Sequence, residues 1–296
     1  MTAYFFYSTG RCGTQWLTRH LAAAMGGTAE VVHEPIGMGW APRLALRHGD
    51  LGALRREMPQ VDRHLDHICA GVASGRHYVE TGWPALGWYP YLSELLGAEF
   101  RWIHIVRHPL FVAASLQTHR YYDETRTDDL PALGALTPCD PGVLRSDLGP
   151  DWAHLSAFEK CLFQWLEINA YGIELACQPS LAPLLRVRFE DLFGEDNNAL
   201  AQVHTGMGLS APGARAAVFD QYRLPGINPL RAESAALWSR VGALAGELGY
   251  ELPEVPGEGL LGVWWHYAPI HRGARGLARA KLMWRATRRW LGSARR

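Results

Sequence analysis

Five short runs of strand-forming residues alternate with helical patterns along the chain, and this alternation restricts the fold more than anything else in the sequence. The runs are 4–8, 30–33 (EVVH), 77–80 (HYVE), 101–106 (RWIHIV) and 184–189 (LLRVRF). Helical spacing of apolar residues fills 13–25, 52–70, 89–97, 109–119, 152–177, 197–206 and 234–248. Strands separated by helices pair in parallel, because a parallel neighbour needs a crossover long enough to hold a helix. The expected class is α/β, with a central parallel sheet flanked by helices and a ligand beyond the carboxyl ends of the strands. The chain has 296 residues, no internal repeat and no low-complexity linker, so one domain over 1–252 is expected, with 253–296 as a C-terminal extension. Residues 121–150 are polar and punctuated by proline (TDDLPALGALTPCDPG), a length at which a connection is a lid or insertion or is locally disordered.

The first strand runs directly into a glycine-rich turn, YFFYSTGRCGTQWL at 4–17. Gly10 and Gly13 remove the Cβ atoms that block close backbone approach. Gly13, Thr14, Gln15 and Trp16 open a helix with Leu17, Leu21 and Met25 at apolar spacing. The unpaired N–H groups at such a helix start, with the positive end of the helix dipole, suit a phosphate, and Arg11 adds a cation. The turn lacks the Gly-Lys-Ser/Thr ending of a nucleoside-triphosphate loop, which disfavours a P-loop kinase, as does the absence of an aspartate obviously placed for Mg²⁺.

A second constellation lies at 101–122, RWIHIVRHPLFVAASLQTHRYY. The strand ends at Arg107, Pro109 occupies a first helical position, where its missing N–H costs nothing, and Ser115 follows eight residues after Arg107. Arg107 at a strand's carboxyl end is expected to face the same crevice as the glycine loop, and Ser115 to bond whatever Arg107 pairs with.

Together these segments resemble the sulfotransferases that use 3′-phosphoadenosine 5′-phosphosulfate (PAPS). GRCGTQWL is similar to the family's 5′-phosphosulfate loop, and VRHPLFVAAS to its 3′-phosphate motif, including the spacing from arginine to serine. VRFEDL (187–192) resembles the family's strand ending in Tyr-Glu-Asp-Leu; FQWLEINAYGIELA and LAGELGY are fainter echoes, and the correspondence runs from about residue 4 to 252. The resemblance implies the P-loop-NTPase-like sulfotransferase fold, PAPS as donor, 3′,5′-bisphosphoadenosine as product and no metal. It places Arg11 on the phosphosulfate bridge, the N–H groups of Gly13, Thr14 and Gln15 around the 5′-phosphate, Trp16 against the adenine, and Arg107 with Ser115 on the 3′-phosphate.

The sequence departs from the family pattern in several places. Cys12 stands where a serine is usual and Gln15 where a threonine or serine often bonds phosphate. Arg11 in place of lysine is similar to the carbohydrate, lipid and tyrosylprotein branches. The Gly-rich segment that closes over the 3′-phosphate in the cytosolic branch has no clear match; PGINPLR (225–231) occupies a comparable place and offers Arg231.

Sulfuryl transfer to a hydroxyl needs a base within hydrogen-bond reach of its proton. VVHEP (31–35) ends the second strand and opens into the same crevice. Glu34 matches the glutamate base of the arginine-type branches; His33 competes, with an unperturbed pKa near 6.5. Strand alternation sends the two side chains to opposite faces, so one of them is expected to reach the site. Glu80 ends the third strand and either positions the acceptor or is a capped strand end. GWPALGWYPY (82–91) and Tyr121-Tyr122 offer aromatic walls, although with twelve tryptophans in the chain core packing explains any one of them equally well. His104 is expected as a satisfied core histidine, and Glu190 and Asp191 as helix caps.

Composition adds bounds. Five scattered cysteines without a CxxC argue against a disulfide framework or a zinc site. No basic n-region precedes the first strand, and no apolar run reaches the roughly 18–20 residues needed to span a bilayer, so a cytoplasmic protein is expected. The zero net charge conceals an asymmetry: nine of the 29 basic residues and no acidic ones fall in 272–296, which leaves 20 basic against 29 acidic elsewhere. That tail is expected either to form a basic amphipathic helix on an anionic membrane or to dock on the chain's own acidic body. A net-acidic body argues against a nucleic-acid partner. The expected function is sulfuryl transfer from PAPS to a hydroxyl or amine of a small-molecule, carbohydrate or lipid acceptor; the alternatives are a kinase and a non-catalytic nucleotide- or partner-binding member of the fold.

Overall fold

The computed structural model describes residues 1–123, 128, 130–194, 198–210, 212 and 230–267. Its centre is a five-stranded, all-parallel sheet in the order β2-β3-β1-β4-β5, with β1 Ala3–Tyr7, β2 Ala29–Val32, β3 His77–Glu80, β4 Phe100–Val106 and β5 Leu185–Arg188. The expected α/β class and all five expected strands are observed. All five residues of β1 (AYFFY) are buried, as a central strand covered on both faces requires. Phe5 and Tyr7 join the core cluster on one face, and Tyr4 and Phe6 the cluster on the other.

The helices are α1 Thr14–Met25, α2 Pro42–Ala45, α3 Leu51–Glu57, α4 Pro59–Ala73, α5 Tyr89–Leu96, α6 Pro109–Thr118, α7 Leu130–Leu133, α8 Ala157–Ala176, α9 Phe189–Leu192, α10 Asn198–Gly206, α11 Ala235–Glu247 and α12 Leu260–Tyr267. α1 buries Leu17, Leu21 and Met25, one residue per turn, and stops at Gly26, whose φ of 55° leaves the helical region. The single helix expected over 52–70 is two, α3 and α4. Pro59 starts the second, and the residue before a proline is pushed out of the helical region; Met58 sits at φ −122°, ψ 79°. α8 opens with a capping box, in which Ser156 accepts from the Glu159 N–H and the Glu159 carboxylate accepts from the Ser156 N–H.

The described part of 121–150 is pinned to α8. Gln164 accepts from the Tyr122 hydroxyl and the Leu136 N–H and donates to the Gly134 carbonyl, while Glu167 accepts from the Leu144 N–H. Beyond residue 252, α12 adds Leu260, Val263, Trp264 and Tyr267 to the larger core cluster and packs against α6. The basic stretch 272–296 lies outside the described residues. No helix among the described residues is long and apolar enough to cross a membrane.

The chain leaves β1 towards β2 on one side and leaves β4 towards β5 on the other. The order therefore reverses between β1 and β4, which are hydrogen-bonded neighbours with Tyr7 opposite His104. A crevice opens at such a switch point beyond the carboxyl ends of the strands, and the loops after these two strands meet there.

Candidate active site

The loop after β1 departs from ordinary backbone at three of four residues. Gly10, Arg11 and Gly13 all have positive φ, at 73°, 59° and 73°. The first helical hydrogen bonds of α1 run from Trp16 and Leu17 to the Gly13 carbonyl, so the N–H groups of Gly13, Thr14 and Gln15 precede the helical ladder. Glycine is required at both ends of the loop by more than φ. A Cβ on Gly10 would stand 3.1 Å from Trp83 Cδ1, and one on Gly13 only 2.5 Å from Phe193 Cζ. Cys12 turns inward: it is fully buried, its Sγ donates to the Gly10 carbonyl at 3.2 Å, and burial raises its thiol pKa. Thr14 is also buried, its carbonyl accepting from the Thr18 and Thr81 hydroxyls, and Gln15 is half-buried. Trp16 stacks on His20 with ring centroids 4.8 Å apart and meets Phe193 edge-on at 5.0 Å.

Across the switch point, the β1 loop and the β4–α6 corner are joined through Arg11. Arg11 Nε donates to Ser115 Oγ at 2.9 Å, and Arg107 Nη1 donates to the Arg11 carbonyl. Ser115 and Arg107 therefore both bond Arg11, and the three residues form a chain. Arg107 is fixed on several sides. Nη2 donates to the Tyr267 hydroxyl at 3.1 Å, the guanidinium lies 4.1 Å from the Phe189 ring centroid, and its own carbonyl accepts from Trp165 Nε1. Arg107 Nε is buried and makes no hydrogen bond among the described residues.

His33 and Glu34 follow the end of β2, and here the structure departs from the expected alternation. β2 stops at Val32, and Glu34 has φ +47°, with its carbonyl closing a turn onto the Gly37 N–H. The turn brings both side chains to one place, with His33 Nε2 4.0 Å from Glu34 Oε1. Alternation applies only while the chain stays extended. Burial is the main force on both groups and acts in opposite directions. It raises the Glu34 carboxyl to about 7, helped by the negative charge of Glu80 and opposed by the Trp83 N–H and Arg11. It lowers His33 to about 4, helped by Arg11. At neutral pH His33 is a neutral imidazole and Glu34 is near its titration midpoint. Arg11 acts on both, which puts the loop cation beside the base candidates.

Glu80 is not open to an acceptor. It is fully buried and accepts from Trp40 Nε1 at 2.8 Å and the Tyr78 hydroxyl at 2.7 Å, with His64 Nε2 at 3.4 Å. Its influence on the site is electrostatic, through Glu34. Arg231 is not brought to the loop by its described contact, in which its carbonyl accepts from Ser156 Oγ at the start of α8. Glu190 and Asp191 do not cap α9. Glu190 accepts from the His108 N–H and the Tyr250 hydroxyl, and Asp191 pairs with Arg188. His104 is a satisfied core histidine bonded to Asn169 and Arg186, with burial lowering its pKa to about 3.

Three residues at the site were not singled out in the sequence. Gly82 has a legible signal, a glycine at a strand end: a Cβ there would lie 2.3 Å from Glu34 Cγ, so only glycine leaves room for the carboxylate. Phe189 and Tyr267 touch Arg107 from 82 and 160 residues away, and no local pattern announces either.

No protein-family model matches the sequence, and no curated protein matches it. Among solved structures the chain is similar to a sulfotransferase domain from the curacin biosynthetic pathway, at 15% identity over 85% of this chain and 98% of that one, TM-score 0.45. It is also similar to a sulfotransferase from Alicyclobacillus acidocaldarius, at 14% identity over 85% and 97%, TM-score 0.46. A third is the sulfotransferase domain from the Synechococcus PCC 7002 olefin synthase, at 16% identity over 85% and 95%, TM-score 0.44.

Proposed function

We propose that this chain is a sulfotransferase that moves a sulfuryl group from PAPS to a hydroxyl or amine of a small-molecule, carbohydrate or lipid acceptor. The observation that carries the reading is the chain Ser115–Arg11–Arg107 across the β1/β4 switch point, set beside a carboxyl that titrates near neutral pH. The residues fit the donor. Arg107 keeps a buried Nε with no hydrogen bond among the described residues, and the loop offers helix-start N–H groups from Gly13 onward.

PAPS supplies an activated sulfuryl group, whose S–O bond to the 5′-phosphate breaks as the acceptor atom bonds sulfur. Glu34 takes the acceptor's proton at a carboxylate oxygen, a task suited to a base whose pKa lies near the working pH. His33, neutral at that pH, contributes a hydrogen-bonding imidazole in place of a charge. Arg11 offsets negative charge on the leaving side, and the N–H groups of Gly13, Thr14 and Gln15 bind the 5′-phosphate. Arg107 and Ser115 hold the 3′-phosphate, the group that separates this donor from an ordinary adenine nucleotide. Trp16, Phe189 and Phe193 form an aromatic side to the same region, suited to a purine ring.

The test is a thermal-shift comparison of 3′,5′-bisphosphoadenosine with ADP and 5′-AMP, run first without added metal and then with Mg²⁺. At one hundred times its dissociation constant a ligand adds about 2.7 kcal/mol, which moves the melting temperature by several degrees. A shift with the bisphosphate alone supports the donor assignment and leads to acceptor screening with PAPS. A shift with ADP and Mg²⁺ only, or with none of the nucleotides, overturns it.

A further inference from the structure

We propose that Tyr267 on α12 is a positioning residue for 3′-phosphate recognition, so that α12 fixes the orientation of Arg107. The proposal rests on the donor-site reading above. Arg107 is a partly buried cation with no carboxylate partner among the described residues. Its Nη groups are held instead by two neutral oxygens, the Arg11 carbonyl and the Tyr267 hydroxyl, and its face by the Phe189 ring. A guanidinium held by neutral acceptors keeps its full charge for an incoming anion, whereas an ion pair would have to be broken first. Tyr267 is itself 4% exposed, and its hydroxyl donates to the Phe111 carbonyl at 3.0 Å while accepting from Arg107 Nη2. Phe111 lies on α6, the helix that carries Ser115. One hydroxyl therefore links the strand-end cation, the helix bearing the serine and α12. Loop, β4–α6 corner and α12 together determine where the guanidinium points.

The experiment is calorimetric titration of the full chain with 3′,5′-bisphosphoadenosine and with 5′-AMP, for wild type, Tyr267→Phe, Arg107→Ala and the double variant. Tyr267→Phe keeps the buried ring and removes one oxygen. It is expected to weaken the bisphosphate about tenfold, the usual scale for a hydrogen bond to a charged group, and 5′-AMP less than twofold. In the Arg107→Ala background the same change is expected to cost nothing further, because its effect acts through Arg107. Equal weakening of both nucleotides, or no weakening of either, or full additivity with Arg107→Ala, overturns the proposal and assigns Tyr267 to packing. A wild-type protein that binds the bisphosphate no tighter than 5′-AMP overturns the donor-site reading itself, and this proposal with it, before any variant is compared.

Discussion

Arg11 Nε and Ser115 Oγ, 104 residues apart in the sequence, are 2.9 Å apart in the fold and close the two halves of the crevice onto each other. Ser115→Ala removes the acceptor and leaves the helix otherwise unchanged. We expect a stability loss of about 1 kcal/mol in urea unfolding and a three- to tenfold weaker affinity for 3′,5′-bisphosphoadenosine, of the order of one hydrogen bond. Unchanged affinity in calorimetry removes Ser115 from the donor site.

Glu34 and His33 share one turn but titrate far apart, at about 7 and about 4. Glu34→Gln is expected to lower turnover at least a hundredfold, the scale of a lost general base, with bisphosphate affinity retained. His33→Ala is expected to keep the rise of kcat through pH 7. If His33→Ala removes that rise and Glu34→Gln does not, the base is His33.

The same carboxyl gives a stability signature of defined sign. The folded-state pKa of Glu34 lies above its unfolded value, so between about pH 4.5 and 7 the native state retains a proton that the unfolded state releases. Stability therefore falls across that window as pH rises. Glu34→Gln removes the slope and is expected to exceed wild type by roughly 3 kcal/mol at pH 8, with the gap closing towards pH 4.5. Chemical denaturation at four pH values checks it.

Glu80 adds its charge to the forces that raise Glu34, while Trp40 and Tyr78 both donate to it. Glu80→Gln is expected to move the acid limb of the pH–rate profile down by about half a unit. It is also expected to destabilise the fold by about 1–3 kcal/mol, since Trp40 and Tyr78 donate to different carboxylate oxygens and an amide puts an NH₂ donor in the place of one of them. An unmoved limb means that Glu80 does not act on Glu34.

Gly13 combines φ +73° with Phe193 at 2.5 Å from the place of a Cβ. Gly13→Ala is expected to cost about 1–3 kcal/mol and to weaken nucleotide binding. Gly27→Ala, where nothing lies within 4 Å, is expected to stay within about 0.5 kcal/mol. Melting temperatures of the two variants side by side separate strain at the loop from a general effect of added methyl groups.

The sheet was legible because its signals are local: β-branched and aromatic runs, glycine after β1, proline at the start of α6. The places of Arg107 after β4 and of Ser115 on α6 were legible for the same reason, since a strand end and a helix position eight residues later are fixed by geometry along one stretch of chain. The pairing of His33 with Glu34 was not, because it depends on a positive φ at a residue that rarely adopts one. Nor was the burial of Glu80, whose donors Trp40 and Tyr78 come from different elements. Tyr267 and Phe189 reach Arg107 only through tertiary packing, and the split between α3 and α4 lay in Pro59, inside a pattern that otherwise reads as one helix. Arg231 was read from position relative to a family pattern, with no local geometry to hold it there.

The ladder between β1 and β4 has a further consequence. Tyr7 lies opposite His104, and the two functional turns begin within a few residues of that rung. A parallel strand advances about 3.3 Å per residue, so a slip of one rung would carry Arg107 that far from the Arg11 carbonyl and turn its side chain to the other face. Backbone pairing deep in the sheet thus acts as the gauge that sets the spacing of the cations above it. A chain that had paired these two strands out of step could still be compact and largely helical, yet it would carry both arginines and no place for them to meet.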